Sequence, residues 1–291
     1  MLEQPGPLPV ARSVAELRRQ VAAWREAGEA VALVPTMGAL HQGHLALIAH
    51  GKARADRVVA SIFVNPTQFG PNEDFGRYPR DEAGDAMKLA AAHCDLLYAP
   101  TVGEMYPAGF ATTVSPGPLA EPLDGRFRPG HFTGVATVVA KLLLQAGADI
   151  ACFGEKDYQQ LQIIRRLARD LDIPTRIEGV PIVREADGLA LSSRNAYLLP
   201  AERQIAPALY RTLAAVVARL GEGAPLPEAA TWGAGELARA GFGKIDYLDI
   251  CDAETLQPLA TRERPGRVLA AAWLGTTRLI DNLALPPRGA S

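Results

Sequence analysis

Two imidazoles three residues apart, His41 and His44, close the string Pro35-Thr36-Met37-Gly38-Ala39-Leu40-His41-Gln42-Gly43-His44. The string follows a short apolar run, Val31 to Val34, and leads into His44 to Arg54, where Leu45, Ile48 and Ala49 have helical spacing. Gly38 and Gly43 allow a ligand close to the backbone. The N–H groups at a helix start favour an anion such as phosphate. Two ring N–H groups beside them can donate to phosphate oxygens and stabilise a phosphoryl transition state by position alone. A helix cap or a packed side chain is the plainer account of either histidine. A metal site lacks a carboxylate or cysteine at suitable spacing.

Four further strings carry polar groups of the same kind. In Phe63-Val64-Asn65-Pro66-Thr67-Gln68-Phe69-Gly70 the amides of Asn65 and Gln68 suit a small acid bearing hydroxyls, or else decorate a turn. Leu123 to Phe132 reads as a polar loop entering a helix, with Asp124 and Arg128 in it. In Phe153 to Gln160 a strand ends at Gly154. Lys156 then offers a mobile cation, Asp157 a cap or a partner for a ribose hydroxyl, and Gln160 an amide one turn on. In Asp187 to Asn195, Ser192, Ser193 and Arg194 can grip phosphate by charge-assisted hydrogen bonds, or form a polar linker.

These strings need elements to hold them. Helices are expected over Ser13–Glu29, Arg80–His93, Phe132–Gln145 and Asp157–Leu171, and strands over Val31–Val34, Arg57–Val64, Asp95–Ala99, Ala148–Phe153 and Thr175–Val183. Apolar strands alternating with helices imply an α/β fold, a parallel sheet covered on both faces, with ligands at the carboxyl ends of its strands. Beyond about residue 184 the pattern changes to helices over Ala201–Leu220 and Leu226–Ala240, then strands near Ile245–Ile250, Val268–Trp273 and Leu279–Asn282. The expected organisation is a Rossmann-like parallel-sheet domain over 1–184 and a smaller C-terminal α+β domain over 185–291.

Composition narrows the classes. Of 291 residues 48% are apolar and 21% charged, and the formal charge of −2 gives no general nucleic-acid or membrane binder. The cysteines, Cys94, Cys152 and Cys251, share no metal-ligand spacing and are expected to be reduced. No run reaches the ~18 apolar residues of a membrane span. The N-terminus lacks the form of a secretion signal, so a cytoplasmic location is expected.

His41-Gln42-Gly43-His44 resembles the HIGH motif of the nucleotidyltransferase superfamily, and Pro35 to His44 as a whole resembles the pantothenate synthetase family. All five strings match that family in order. The resemblance implies ATP binding by Met37, Gly38, His41, Gly43, His44, Gly154, Lys156, Asp157, Val183, Leu191, Ser192, Ser193 and Arg194. It implies that Asn65, Gln68, Asp124, Arg128 and Gln160 serve pantoate and β-alanine, although the family usually has Glu where this chain has Asp124. The implied reaction is ATP-dependent condensation of pantoate with β-alanine through a pantoyl adenylate. His44, His41, Lys156 and Arg194 would form the catalytic set, Mg²⁺ would be carried mainly by the ATP phosphates, and the enzyme would be a homodimer. A cytidylyltransferase would share the first and fifth strings but leaves Gln68, Gln160 and the Asp124–Arg128 loop without a purpose. A silent nucleotide-binding regulator would not need His44, Lys156 and Arg194.

Overall fold

The computed structural model describes residues 8–71 and 73–289. In chain order its strands and helices are β1 (Val10–Ala11), α1 (Val14–Glu26), β2 (Val31–Thr36), α2 (Gln42–Lys52), β3 (Arg57–Ile62), α3 (Glu82–Ala91), β4 (Leu96–Tyr98), α4 (Val102–Met105), α5 (Asp124–Phe127) and α6 (His131–Ala146). There follow β5 (Ile150–Gly154), α7 (Tyr158–Asp170), β6 (Arg176–Val180), α8 (Pro200–Ile205), α9 (Ala208–Gly221), α10 (Leu226–Ala240), β7 (Lys244–Asp252), β8 (Gly266–Leu274) and β9 (Thr277–Leu285). They gather into two compact units. The first comprises the chain up to Ala120, Arg128–Glu155 and Gln160–Pro181, and the second comprises Glu121–Phe127, Lys156–Gln159 and the chain from Ile182.

The first unit is built on a six-stranded parallel sheet in the order β1-β4-β3-β2-β5-β6. Successive side chains of a strand point to opposite faces, and the two faces have separate cores. Val31 and Leu33, Val59, and Ala151 and Phe153 pack with Leu17 and Val21 of α1, Val135 and Val139 of α6, and Leu161 and Ile164 of α7. Their neighbours Ala32 and Val34, Val58 and Ala60, and Ile150 and Cys152 pack with Leu47 and Ile48 of α2 and Leu89 of α3. Both faces are therefore apolar, which explains the unbroken hydrophobic runs. The chain order reverses between β2 and β5, a switch point that opens a crevice at the carboxyl ends of those strands.

The second unit contains the antiparallel sheet β7-β8-β9. Leu213 and Val216 of α9 and Leu237 of α10 share a core with Val268, Ala270 and Leu279. The α/β class, the Rossmann-like sheet and the smaller C-terminal sheet are as the alternation implies.

Several boundaries differ. β2 runs on through Pro35 to Thr36. The Thr36 carbonyl accepts from Phe63 on the β3 side, so the missing N–H of Pro35 faces β5, whose pairing with β2 ends at Leu33. The expected helix Ala201–Leu220 is two helices, α8 and α9, separated at Ala206 and Pro207, because proline has no N–H to donate to the preceding turn. The expected strand to Val183 stops at Val180, before Pro181.

All three cysteines are free and buried. Burial pushes the thiols of Cys94 and Cys152 up to about 11 and that of Cys251 up to about 12. Near about pH 8 the thiolate, the reactive form, is scarce in each. A thiol reagent should label the native protein far more slowly than the urea-unfolded chain; rapid labelling of a native thiol would contradict this packing.

Candidate functional site

The loop after β2 enters α2 through a cap made of the two histidines. The first N–H groups of a helix lack partners within it. Here His41 is the N-cap, in extended conformation, and its Nδ1 accepts the Gly43 N–H at 3.1 Å. His44 Nδ1 accepts the His41 N–H at 3.3 Å in return. The rings lie 4.1 Å apart between centroids. With both Nδ1 atoms acting as acceptors, the ring proton of each histidine sits on Nε2, which makes each Nε2 a donor. The helix thus begins at Gln42, two residues before the expected start, because histidine stands where Ser, Thr, Asp or Asn would usually signal a cap.

The loop after β3 holds Gln68 against the loop after β2. Gln68 is buried, and its Nε2 donates to Met37 Sδ at 3.2 Å. Its amide orientation follows from Asn65. The Asn65 Oδ1 accepts the Thr67 N–H at 3.3 Å, and its Nδ2 donates to the Gly134 carbonyl at 3.2 Å. A backbone N–H can only donate and a carbonyl only accept, so Asn65 has one possible orientation. Its Nδ2 then donates also to Gln68 Oε1 at 3.1 Å, which leaves Nε2 as the end of the glutamine that faces Met37. The Tyr106 hydroxyl donates to Asn65 Oδ1 at 2.8 Å, and burial raises its phenol above the ordinary range. The Asn65 amide therefore positions Gln68 and is itself engaged at both ends.

A second arm holds the Gln68 backbone. His131 Nδ1 donates to the Gln68 carbonyl at 2.8 Å, and its Nε2 accepts from Arg128 Nη1 at 2.9 Å. Arg128 pairs with both carboxylate oxygens of Glu73, at 2.8 and 2.6 Å. Gly134 of α6 lets this helix touch the turn, since a Cβ there would stand 2.3 Å from the Thr67 carbonyl oxygen. Gly154 ends β5 beside β2, and Gln160 lies in the first turn of α7. Within the first unit, then, Met37, Gly38, His41, Gly43 and His44 share one loop and helix start. Gln68 touches that loop through Met37, Asn65 holds Gln68, and Arg128 reaches the Gln68 backbone through His131.

The remaining residues lie in the second unit. Lys156 precedes Asp157, with 3.8 Å between Nζ and the carboxylate, and its carbonyl accepts from Asn282 Nδ2 of β9 at 2.9 Å. Val183 and Leu191 face each other across a hairpin, where Leu191 N–H donates to the Val183 carbonyl at 3.0 Å. The hairpin is pinned by Arg184, which pairs with Asp281 at 2.6 and 2.9 Å and stacks on Tyr210. Ser192 caps the helical turn Ser193–Tyr197, its Oγ accepting the Arg194 N–H at 3.2 Å. Asp124 is buried, and its Oδ1 accepts from Tyr247 Oη at 2.8 Å and Arg278 Nη2 at 2.7 Å. Burial and the nearby Asp124 charge hold the Tyr247 phenol well above its usual range, so it remains a donor.

Sequence reading did not single out Glu73, Tyr106, His131, Arg184, Asp281 or Asn282. His131 lay inside a quoted string; the others reach their partners only through the fold. Among the described residues no cluster of three His, Cys, Asp or Glu could hold a metal.

Replacing Gly134 with Ala should cost about 1–3 kcal/mol by overpacking, read as a lower urea midpoint. An unchanged midpoint would mean that α6 does not press on the Thr67–Gln68 turn.

Residues 9–284 match the family described as pantoate-beta-alanine ligase. The pantothenate synthetase of Paramagnetospirillum magneticum is 60% identical over 278 residues, covering 96% of this chain and 98% of that protein. The crystal structure of the pantothenate synthetase from Thermus thermophilus has a TM-score of 0.90 at 49% identity, covering 96% of this chain and 100% of that one. That of the pantoate-beta-alanine ligase from Francisella tularensis, complexed with beta-gamma ATP and beta-alanine, has a TM-score of 0.79 at 35% identity, covering 95% of this chain and 97% of that one.

Proposed function

The chain belongs to the pantoate–β-alanine ligase family, and we propose that it joins pantoate to β-alanine in two steps at the expense of ATP. In the first, a pantoate carboxylate oxygen attacks the α-phosphorus of ATP and pyrophosphate leaves, giving a pantoyl adenylate. In the second, the neutral β-alanine amine attacks the adenylate carbonyl, gives up one proton to solvent as the amide forms, and AMP leaves with the bonding electrons of the acyl–oxygen bond. No enzyme nucleophile is needed.

The observation that carries this reading is the reciprocal cap of α2. It presents two Nε2–H donors at the carboxyl end of β2, beside a helix start whose dipole favours phosphate. Such preorganised donors act on charge as it develops on the phosphate oxygens. His44 is the principal donor and His41 supports the triphosphate. Gln68, with its N–H end turned toward the loop that carries the histidines, suits a carboxylate or hydroxyl oxygen of pantoate. The family resemblance assigns Gln160 to the same substrate, and Arg128 and Asp124 to the pantoate and β-alanine segment. In this structure Arg128 pairs with Glu73 and Asp124 with Arg278. The carboxylate at position 124 therefore acts through its own unit. Asn65 serves pantoate indirectly, by orienting Gln68.

Resemblance further assigns Lys156, Arg194, Ser192 and Ser193 to the phosphates, Met37, Gly38, Gly43, Gly154 and Leu191 to backbone and wall contacts with ATP, Asp157 to the ribose and Val183 to the adenine. Magnesium enters on the triphosphate, as MgATP. We further infer a cytoplasmic homodimer, from the family alone. Among the described residues no helix is long and apolar enough to cross a membrane.

The chain should exchange labelled pyrophosphate into ATP when pantoate is present and β-alanine absent; exchange that ignored pantoate would end this reading. His44→Ala and Lys156→Ala should each slow exchange by roughly a hundredfold or more, the scale of losing one transition-state donor. Near-normal rates would remove that residue from its role. Gln68→Ala should chiefly raise the pantoate KM, and an unaltered KM would speak against the assignment.

A further inference from the structure

Asp85 is a buried charge that the reaction above does not use. It lies in the first turn of α3 at 1% exposure. Its Oδ1 accepts the Leu40 N–H at 2.8 Å and the Lys88 ammonium at 3.2 Å. Lys88 Nζ also donates to the Leu40 carbonyl at 3.0 Å. Both polar backbone groups of the residue preceding His41 are thus held by side chains one turn apart on a single helix. The bond from the Leu40 N–H to Asp85 is buried, so that N–H cannot exchange its partner for water.

The other carboxylate oxygen points at the turn itself. Asp85 Oδ2 has no hydrogen-bond partner among the described residues, and it lies 3.1 Å from where a Cβ on Gly38 would stand. Gly38 and Ala39 are both left-handed, at φ +84° and +51°. A non-glycine residue there persists only where its surroundings enforce it. Upstream, Thr36 Oγ1 accepts the Gly38 N–H at 3.1 Å and donates to the Ser61 carbonyl at 2.8 Å. The turn is therefore tied to β3 at one end and to α3 at the other, and its last residue leads directly into the histidine cap.

We propose that Asp85, with Lys88, is a positioning residue for the reaction: it holds the Gly38–Leu40 turn so that His41 and His44 stand at a fixed height over the phosphates. Asp85 touches no substrate and acts through the histidines. The proposal rests on the ligase reading above. The carboxylate matters for its charge: Oδ1 accepts from a peptide N–H and also forms an ion pair with the Lys88 ammonium. A carboxamide would keep the Leu40 bond and lose most of the hold on Lys88.

The test uses the full chain and pantoate-dependent pyrophosphate–ATP exchange, with the thermal midpoint measured alongside. Because Asp85→Ala leaves a buried N–H unsatisfied and can unfold the protein, Asp85→Asn is the main variant. Its saturating exchange rate should fall roughly tenfold or more while the pantoate KM stays within about threefold, since Asn65 and His131 hold Gln68 independently of the turn. In a His44→Ala background the same substitution should change the rate by no more than about threefold, because the principal donor being positioned is already gone and only the support from His41 is left. Additive losses would mean that Asp85 acts on the nucleotide independently, and would overturn the proposal. So would a wild-type rate in Asp85→Asn, or a rate that falls only as far as the folded fraction does. Failure of the unsubstituted chain to exchange would instead refute the ligase reading, and this inference with it.

Discussion

A helix cannot bond the N–H groups of its own first turn, and in α2 that requirement is met by two imidazoles, His41 accepting the Gly43 N–H and His44 the His41 N–H. This single arrangement settles several others. It uses the Nδ1 atom of each ring, so it decides which nitrogen carries the proton. It fixes where the rings stand relative to the sheet, because α2 packs through Leu47 and Ile48 onto one of the two cores. It also requires the preceding turn to arrive at His41 in extended conformation, which the left-handed pair Gly38 and Ala39 provides. Glycine is needed at 38, where a Cβ would crowd both Asp85 and Ile62.

The same economy governs the neighbouring loop. Asn65 is 1% exposed and Gln68 is 8% exposed, and amides that far from water must find partners in the protein. They find them in a chain with a fixed direction, running from Tyr106 through Asn65 and Gln68 to Met37. Each bond by itself contributes only about 0.5–1.5 kcal/mol net, but leaving one buried end unpaired costs about 1–3 kcal/mol. The direction is therefore conserved along the chain, and the glutamine offers an N–H rather than a C=O. Glu73, Arg128 and His131 do the same for the Gln68 backbone.

The second unit carries its polar groups on a sheet. β9 contributes Asp281 to Arg184 and Asn282 to the Lys156 carbonyl, so one strand anchors both the hairpin that precedes Ser192 and the backbone of the lysine. Burial raises the Asp281 carboxyl above its ordinary range, and the Arg184 guanidinium opposes that shift. The Asp124 carboxylate is held by Tyr247 and Arg278 in the same manner. The shorter side chain at 124 still reaches two donors, because the sheet brings them to it.

The sequence by itself determined the alternation of apolar strands with helices, the change of pattern after about residue 184, and the strings that could meet phosphate or a hydroxy acid. These are local properties: a strand buried on both faces must be apolar throughout, and a glycine before a helix leaves its mark within a few residues. Where proline stood, local rules gave mixed results. Pro35 did not stop β2, because its missing N–H faces away from any pairing, whereas Pro207 did break the helix expected over Ala201–Leu220. The tertiary structure alone decided which polar groups bind one another. Asp85 reaches Leu40, Tyr106 reaches Asn65, Glu73 reaches Arg128 and Asn282 reaches Lys156 across separations of 45, 41, 55 and 126 residues. No spacing rule connects such pairs. A side chain's partner is set by where folding brings its neighbours, and the proton of an imidazole or the orientation of an amide follows from that partner.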